Sequence, residues 1–309
     1  MRIITAAEVE AALEFKDLIE RLRETFRKGA EVPVRHHHAL GGDSDATLLL
    51  MPAWQRGRHV GIKLVTVFPH NHEVSLPSVM GAYLLLSGKT GQPLAMIDGP
   101  TLTVKRTAAA SALAASYLAR QDSERLLMIG TGALAPYLIE AHAAVRPICN
   151  VLIWGRNADK AQKLARKLDR SDFRVAATTD LEAAVRGAHV ISAATMTKAP
   201  LIEGAWLQPG QHVDLVGGYR PDMREADDEA VERARVFVDT REGACSEAGD
   251  IVQPLESGQL AAEDIAADLF ELARGERAGR RFYDQITLFK SVGTALEDLG
   301  AAQLAYERT

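Results

Sequence analysis

Short apolar runs and longer amphipathic stretches alternate along the chain, and the pattern changes after its first third. In that third, helical spacing over about residues 7–28 is followed by the β-like runs ATLLLMPAW, HVGIKLVTVF, GAYLLLS and PLAMIDG. Gly, Pro, Asn and Asp fill the connections, which predicts an antiparallel sheet. The Ala-rich segment TLTVKRTAAASALAASYLA then predicts a long helix.

From about residue 125, short strands such as RLLMIG, NVLIWG and HVISAAT alternate with amphipathic helices. This alternation is typical of βαβ units and therefore predicts a doubly wound parallel sheet. The acidic run READDEAVER predicts a helix over 222–234 with a solvated face. The last stretch is helical, and we expect the final helix to return to the first domain.

The length of the chain, 309 residues, favours two domains over one core. We predict an α/β protein with a Rossmann-type domain of doubly wound parallel sheet at residues 119–290. A smaller α+β domain is predicted from residues 1–118 and 291–309. The first domain is thus expected to be discontinuous in sequence.

Composition narrows the class of protein without identifying it. A hydrophobic content of 47%, a charged content of 25% and a net charge of −5 are ordinary for a soluble globular protein and give no electrostatic reason to expect nucleic acid. No apolar run approaches the roughly 20 residues that span a bilayer, and the N-terminus lacks the pattern of a signal peptide. Cys149 and Cys245 have no CxxC or metal spacing. We therefore expect a cytoplasmic protein that binds neither nucleic acid nor membrane.

A glycine motif marks the first strand–helix junction of the second domain. Gly130-Thr131-Gly132-Ala133-Leu134-Ala135 is GxGxxA, directly after an apolar strand and directly before a helix. In that context the first glycine permits a tight turn, the second lets the backbone approach a pyrophosphate, and the alanine allows close packing. We predict a dinucleotide site here. The alternative is a glycine turn in an α/β fold that binds no nucleotide.

The end of the next strand indicates which dinucleotide is bound. An NAD site would carry Asp or Glu about 20 residues on, to hold the ribose 2′-hydroxyl. Here the strand ends in Trp154-Gly155-Arg156-Asn157, with Lys160 one turn later, and Arg156 suits a 2′-phosphate. This favours NADP(H), with NAD(H) as the alternative. Arg156 and Lys160 could instead only flank a solvated helix start.

One lysine interrupts an apolar strand. In GIKLVTVFP, Lys63 occupies a position where an apolar side chain is expected, and a buried ammonium is costly unless it is paired or used. Arg106 begins the Ala-rich helix and Arg35 lies in VPVRHHH; a guanidinium is well suited to a carboxylate. We predict that Lys63 faces a substrate as proton donor or acceptor, with a lowered pKa. The alternatives are a Lys63 that reaches water from a strand edge and an Arg106 that caps a helix or forms an ion pair.

Nearly the whole chain resembles the ornithine cyclodeaminase/μ-crystallin family. The most specific parts are Met51 to Ala115, including GIKLVTVFPHN and GPTLTVKRTAAASALAA, and the C-terminal KSVGTALEDL; IGTGALA matches as well. The resemblance implies an N-terminal substrate-binding and dimerisation domain, a Rossmann domain, and a homodimer. It also implies interconversion of amino acids and imines by nicotinamide hydride transfer.

The resemblance also assigns roles to residues of this sequence. Arg35 and Arg106 would hold the substrate carboxylate, Met51 would line the pocket, and Lys63 would be the catalytic lysine. Thr107 and Val292-Gly293 would lie near the cofactor. The complete predicted set of cofactor-binding residues is Thr107, Gly130, Thr131, Gly132, Ala133, Leu134, Trp154, Arg156, Asn157, Lys160, Ala194, Thr195, Val216, Val292 and Gly293.

The chain departs from the cyclodeaminases at one position. Those relatives carry an Asp in a GADAPGK-like stretch, and the matching position here, in GGYRPDM, is Tyr219. Cyclodeamination needs a base to free the δ-amine, and a phenol of pKa about 10 is a poor base near neutral pH. Asp222, three residues on, could supply the carboxylate instead.

The sequence therefore predicts a reductase of a small imino acid, of the ketimine or pyrroline-2-carboxylate type, that yields the amino acid. One alternative is ornithine cyclodeaminase, which forms L-proline and ammonia from L-ornithine. Another is a μ-crystallin-like NADP-binding protein that needs no turnover, although the presence of Arg35, Lys63 and Arg106 together argues against it. No metal is expected, because consecutive residues of a strand, such as His36-His37-His38, point to opposite faces.

Overall fold

The computed structural model describes residues 1–41, 46–170 and 173–309, and these divide into two compact units. Unit 1 comprises Met1–Thr107 and Thr294–Thr309, and unit 2 comprises Ala108–Gly293. The first border, at 107/108, lies 11 residues before the predicted one at 118/119, and the second, at 293/294, lies three residues after the predicted one at 290/291. The larger difference has a local cause: Arg146 of unit 2 donates to the carbonyl oxygens of Ala115 and Ser116, both at 2.8 Å, which ties the Ala-rich segment to unit 2.

Unit 1 contains one mixed sheet in which the strands have the order β1-β6-β5-β4-β3-β2. These strands are β1 (Arg2–Ile4), β2 (His36–Ala39), β3 (Thr47–Gln55), β4 (His59–Val67), β5 (Val79–Ser87) and β6 (Pro93–Asp98). Strands β2 to β6 pair antiparallel, as the pattern of the four β-like runs predicts, and β1 joins β6 in parallel.

The helices of the first part of the chain are α1 (Ala6–Ala12), α2 (Phe15–Lys28) and α3 (Gly99–Leu118). The single helix predicted over 7–28 is thus two helices. Thr5 and Glu8 cap the start of α1 reciprocally, and the backbone leaves the helix at Leu13, whose side chain is fully buried. Helical periodicity continues across the break because both helices bury the same kind of apolar face.

Unit 2 contains an all-parallel sheet in which the strands have the order β13-β12-β14-β11-β10-β7-β8-β9. These strands are β7 (Arg125–Ile129), β8 (Asn150–Trp154), β9 (Arg174–Ala177), β10 (Val190–Ala193), β11 (His212–Leu215), β12 (Arg235–Val238), β13 (Ala267–Asp268) and β14 (Thr287–Lys290). The strand order reverses between β7 and β10, which is the topological switch point of a Rossmann fold. The predicted fold class is confirmed.

Helices connect these strands. They are α4 (Leu134–Val145), α5 (Ala158–Leu168), α6 (Leu181–Gly187), α7 (Asp228–Arg233), α8 (Arg241–Glu247), α9 (Gly249–Ser257) and α10 (Leu269–Arg274). The last helix, α11 (Ala295–Arg308), belongs to unit 1, where it packs against α2, β3 and β4. Short 3-10 helices lie at Pro69–Val74, Gly204–Trp206 and Ala262–Asp264.

The acidic run READDEAVER does not form the predicted solvated helix over 222–234. Only its second part is helical, as α7, which Asp227 caps by accepting from the Ala230 N–H. The preceding residues are irregular, and Arg224 and Glu225 are buried. A local charge pattern cannot reveal that the fold brings backbone donors to Glu225.

Each unit has its own core. In unit 1, Tyr83, Leu85 and Ile97 lie on the sheet face that packs on the helices and are almost fully buried. In unit 2 the strands are buried on both faces, as expected of a parallel sheet between helices. None of the described helices is both long and apolar enough to cross a membrane.

Candidate active site

Lys63 lies in the middle of β4, on the buried face of the unit 1 sheet. It pairs in register with Met51 on β3 and with Tyr83 on β5, so these three side chains form one row. Lys63 is 3% exposed, which excludes a strand-edge lysine that reaches water. Next to it, Gly61 makes room for the tyrosine ring, since a Cβ at Gly61 would lie 1.9 Å from the Tyr83 hydroxyl.

The ammonium of Lys63 forms an ion pair with a carboxylate from α11. Lys63 Nζ lies 2.8 Å from Asp298 Oδ2, and both side chains are buried. Burial lowers the pKa of Lys63 to about 8; the charges of Arg106 and Arg35 act in the same direction, and Asp298 opposes them. Burial alone would raise the pKa of Asp298, but Arg106 and Lys63 outweigh it and hold that pKa below its usual range. The lysine can therefore exchange a proton near neutral pH.

Arg106 joins the same group of charges. Its Nη1 donates to Glu297 at 2.7 Å and its Nε to Asp298 at 2.9 Å. We call Lys63, Arg106, Glu297 and Asp298 the charge cluster. Both carboxylates lie in the first turn of α11, after the N-cap Thr294, where the helix dipole favours negative charge. The ion-pair interpretation of Arg106 is thus correct, and it does not exclude a contact of the same guanidinium with substrate.

The remaining predicted substrate residues lie close to the charge cluster. Met51 is 6% exposed and faces Lys63 across the β3–β4 ladder. Arg35 directly precedes β2 and is partly buried, near enough for its charge to act on Lys63. The adjacent His36-His37-His38 is exposed on β2, and within the described residues no group of acidic, histidine and cysteine side chains is arranged to hold a metal ion.

Tyr83 is a residue of this site that sequence reasoning missed. It is fully buried, and none of the described groups forms a hydrogen bond with its hydroxyl. Burial and the charge of Asp298 raise its pKa well above the ordinary value, so the phenol stays protonated. A tyrosine in GAYLLLS gives no signal beyond strand propensity, which is why it was not singled out.

In unit 2, the glycine motif lies at the switch point of the sheet. Gly130 has φ +119°, and a Cβ there would lie 2.6 Å from the carbonyl oxygen of Ala194. A Cβ at Gly132 would meet nothing within 4 Å, so the backbone borders open space there. Ala133 makes no side-chain cap at the start of α4, which leaves the first N–H groups of that helix for another acceptor. These features fit a pyrophosphate.

The end of β8 lies beside the glycine motif, because the Gly130 N–H donates to the carbonyl of Trp154 at 2.8 Å. Asn157 caps α5 through its Oδ1, which accepts from the Lys160 N–H at 2.9 Å. The side chains of Arg156 and Lys160 are exposed at this helix start. The predicted nucleotide-selecting cations therefore share one end of the sheet with the glycine motif.

The other predicted cofactor residues of unit 2 also lie at the carboxyl ends of its strands. Ala194-Thr195 follows β10, Val216 follows β11, and Val292-Gly293 follows β14. Asp239, which sequence reasoning missed, follows β12 and accepts from the Val292 and Gly293 N–H groups at 2.7 and 2.6 Å. Thr107 lies in unit 1, next to Arg106 on α3, and is 8% exposed.

Tyr219, the position that the sequence resemblance matches to the Asp of the cyclodeaminases, is on the loop after β11. Tyr219 is 48% exposed there. Asp222 forms ion pairs with Lys198 at 2.9 Å and with Arg220 at 3.0 Å. The hydrogen bond from Lys198 is the main cause that lowers the pKa of Asp222, so this carboxylate is a weaker base than an unpaired one.

A model of the ornithine cyclodeaminase/mu-crystallin family matches residues 1–309 of this chain. The chain belongs to that family. It is 39% identical to the Δ1-pyrroline-2-carboxylate reductase of Paracoccus denitrificans, over 96% of this chain and 94% of that protein. Its fold matches the Thermococcus litoralis Δ1-pyrroline-2-carboxylate reductase in complex with NADH and L-proline (33% identity, TM-score 0.93, 100% and 97% coverage). It also matches an archaeal alanine dehydrogenase dimer with bound NAD (30% identity, TM-score 0.92, 100% and 95% coverage).

For this member of the ornithine cyclodeaminase/mu-crystallin family, three of the residues that sequence reasoning missed have one property in common. Glu297, Asp298 and Glu225 are acidic residues whose surroundings are built by distant parts of the chain. A signal was present at two of them, because Glu297 and Asp298 lie in the first turn of a helix most of whose other residues are apolar. The helix dipole favours acidic residues in the first turn, but acidic residues in an otherwise apolar helix also indicate a buried cation nearby.

Proposed function

We propose that this protein is a nicotinamide-dependent reductase of a small cyclic imino acid, with Δ1-pyrroline-2-carboxylate as the best-matched substrate and L-proline as its product. The single observation that carries the proposal is the buried Lys63, held between Asp298 and the arginines in a family of nicotinamide-dependent relatives. When bound, the cofactor supplies a hydride to the imine carbon. The residues of this chain supply position, charge and a proton.

Charge balance supports a substrate with one carboxylate. The charge cluster and Arg35 together bring three cations and two carboxylates, which sum to one positive charge when all are ionised. A monocarboxylate neutralises this excess, and a guanidinium fork fixes its orientation. Arg35 and Arg106 are proposed to hold that carboxylate and thereby to orient the imine carbon.

Lys63 is proposed to handle the proton on the nitrogen. With a pKa of about 8 it is mostly an ammonium at neutral pH and can donate to the imine nitrogen. In the reverse direction the neutral amine accepts that proton from the amino acid. The ion pair with Asp298 keeps the ammonium oriented, and Met51 on the neighbouring strand provides an apolar wall.

Ornithine cyclodeamination is disfavoured by the residues after β11. By the sequence resemblance, Tyr219 takes the place of the cyclodeaminase Asp, and Asp222 already pairs with Lys198 and Arg220. A carboxylate so occupied is a poor base for the δ-amine. A nucleotide-binding protein without turnover is also disfavoured, because such a protein would have no use for a buried lysine of lowered pKa.

For the cofactor, we propose that NADPH is preferred over NADH, with NAD(H) as the alternative. Arg156 follows β8, where an acidic residue would contact the ribose of NAD, and Lys160 adds a second cation at the start of α5. The two solved relatives named above carry NADH and NAD, so the preference rests on Arg156 of this chain. Its test is independent of the test for the reaction.

We also propose a homodimer formed through unit 1. Side chains along β4, β5 and β6 point alternately to the two faces of the sheet. The buried face carries Lys63 and Tyr83, and on the opposite face Ile62, Leu84 and Met96 lie side by side. Met96 is 42% exposed, and an apolar sheet face of this kind favours a second protein surface.

The reaction is tested by supplying purified protein with Δ1-pyrroline-2-carboxylate and NADPH or NADH and following nicotinamide absorbance. Stoichiometric consumption of reduced cofactor with formation of proline is expected. L-Ornithine with oxidised cofactor should give neither proline nor ammonia. Conversion of ornithine would overturn the reductase assignment in favour of the cyclodeaminase, and binding of the nucleotide without any turnover would favour the binding protein.

A further inference from the structure

A buried glutamate of unit 2 joins two loops at the proposed cofactor edge. Glu225 is fully buried, and its two carboxylate oxygens point in different directions. Oε1 accepts from the Thr195 N–H at 2.7 Å and from the Thr195 hydroxyl at 2.8 Å. Oε2 accepts from the Gly217 N–H at 2.7 Å. One side chain thus connects the loop after β10 with the loop after β11.

The two loops touch each other at the same place. A Cβ at Gly217 would lie 1.9 Å from the carbonyl oxygen of Thr195, so only glycine permits this approach. The contacts of Glu225 are all made to donors, and both carboxylate oxygens therefore act as acceptors. A neutral amide at this position would turn a donor toward one of these donors and would release one of the loops.

A buried ion pair, Asp250 with Lys290, holds the backbone of Glu225 in place. Asp250 Oδ1 accepts from the Glu225 N–H at 2.7 Å, and Asp250 Oδ2 forms a buried ion pair with Lys290 Nζ at 3.0 Å. Lys290 is the last residue of β14, the strand next to β11. Burial raises the pKa of Glu225, while the positive charge of Lys290 favours its ionised form. Through Glu225, Asp250 and Lys290, the loop after β10, the loop after β11 and the end of β14 are thus connected.

We infer that Glu225 is a positioning residue for the nicotinamide half of the cofactor. A Rossmann sheet binds its dinucleotide across the switch point, with one mononucleotide on each half. The glycine motif and Arg156 lie on the half formed by β7 and β8, whereas Thr195 and Gly217 lie on the half formed by β10 and β11. Among the described residues, the Glu225 carboxylate accepts hydrogen bonds from the loops of the second half, at Thr195 and Gly217. The inference rests on the proposed function, because it presumes a nicotinamide dinucleotide.

The test compares the whole cofactor with its adenosine half. Binding of NADH and of 5′-AMP to Glu225→Gln and to the unaltered protein is measured by calorimetry and repeated with NADPH and adenosine 2′,5′-bisphosphate. Loss of one or two charge-assisted hydrogen bonds predicts roughly 10- to 100-fold weaker binding of the dinucleotide. Affinity for the adenosine fragments should stay within about twofold, since their half of the sheet does not contact Glu225.

The matched control is Asp227→Asn, two residues away. The Asp227 carboxylate also accepts from two backbone N–H groups, of Gly204 and Ala230, but neither belongs to the cofactor loops. Both groups donate to the same oxygen, Oδ1, which an asparagine retains, so this variant removes a buried charge without removing a hydrogen bond and should leave both affinities unchanged. If Glu225→Gln does not fold, Thr195→Val removes the hydroxyl donor alone and should weaken the dinucleotide roughly three- to tenfold.

Three results would contradict the inference or its basis, and they can be distinguished. Unchanged dinucleotide affinity in a folded Glu225→Gln, or in Thr195→Val if it replaces that variant, would overturn the positioning role. Equal weakening of the dinucleotide and the adenosine fragment would indicate general loosening of unit 2 and would overturn it as well. An unaltered protein that binds no nicotinamide nucleotide would overturn the proposed function, and this inference with it.

Discussion

Lys63 and Asp298 come from opposite ends of the chain, and their charged atoms lie 2.8 Å apart in the interior of unit 1. Because Asp298 also accepts from Arg106 at 2.9 Å, the carboxylate would keep a cationic partner if the lysine lost its proton. The pair can therefore change its protonation state at Lys63 without leaving Asp298 as an isolated buried charge. Lys63, whose pKa is lowered to about 8, can therefore gain and lose a proton within the charge cluster.

Lys63→Met should lose most turnover and keep nucleotide binding. If the ammonium donates the proton in the transition state, its loss should lower kcat roughly 100- to 10,000-fold. Steady-state kinetics gives kcat, and calorimetry with NADH and NADPH gives the nucleotide affinity.

Lys105→Met is the matched control for that change. Lys105 is a buried lysine of the same unit that pairs with Glu10 at 2.7 Å, outside the charge cluster. Its replacement should lower stability with little effect on kcat. A Lys63→Met protein as active as the unaltered one, or a Lys105→Met protein as inactive as Lys63→Met, would refute the assignment of the proton to Lys63.

The pH dependence of the rate should reflect the pKa of Lys63 in both directions of the reaction. Imine reduction needs the ammonium, so its rate should fall as the pH rises through about 8. Amino-acid oxidation needs the neutral amine, so its rate should rise over the same interval. In Asp298→Asn the pH at which these rates change should be lower, because the carboxylate that favours the ammonium is gone. Rates that change at the same pH in Asp298→Asn as in the unaltered protein would show that another group titrates.

Arg106 should have two separable roles. Arg106→Met leaves Glu297 and Asp298 without their arginine, and breaking such a buried pair costs about 3–5 kcal/mol of stability. The same change should raise the KM for the imino acid. Adding Glu297→Met removes one of the two carboxylates that have lost their arginine and should restore part of the stability, but it should not restore KM. Thermal unfolding and kinetics measured on both variants check this; a KM that recovers with stability would mean that Arg106 is only an ion-pair residue.

Much of this architecture follows from periodicity and local motifs. Strands β3 to β6 and the parallel sheet could be predicted because each element buries a face of characteristic spacing. Gly130 could be assigned from the GxGxxA motif between a strand and a helix, and its φ of +119° and the close approach of Ala194 explain why a glycine is needed there. Lys63 was evident because one charge stands in an apolar strand.

The partners of these residues could not be predicted in the same way. Nothing in the sequence near Lys63 indicates that Asp298 completes its ion pair, and nothing near Glu225 indicates that Thr195 and Gly217 converge on it. Such contacts depend on how distant segments return to one place. The acidic run around Glu225 was assigned to solvent for the same reason, because its burial is decided by the loops and not by its own composition.

Arg156→Ala should test nucleotide selection without affecting the chemistry. NADPH is expected to lose affinity, whereas NADH, which has no 2′-phosphate, should lose little. One charge-assisted contact predicts roughly a tenfold change in the ratio of the two affinities. Lys163 lies on α5, the helix that begins just after Arg156, but further from the helix start, and it offers a matched control as Lys163→Ala. Equal affinities for NADPH and NADH in the unaltered protein would refute the preference.

The dimer should depend on the apolar face of the unit 1 sheet. Met96 lies beside Leu84 on one neighbouring strand and beside Ile3 on the other, and Ile3 is 72% exposed. Met96→Lys places an ammonium in the middle of this face, where a second copy would have to desolvate it. Light scattering at micromolar concentration should therefore give the mass of a dimer for the unaltered protein and of a monomer for Met96→Lys.

The matched control is Leu152→Lys, at a strand position of unit 2 that is 37% exposed, close to the 42% of Met96. It should leave the dimer intact, since a general penalty for a surface lysine would act equally at both sites. A monomeric unaltered protein, or a Met96→Lys protein that remains dimeric, would move the proposed interface off this face.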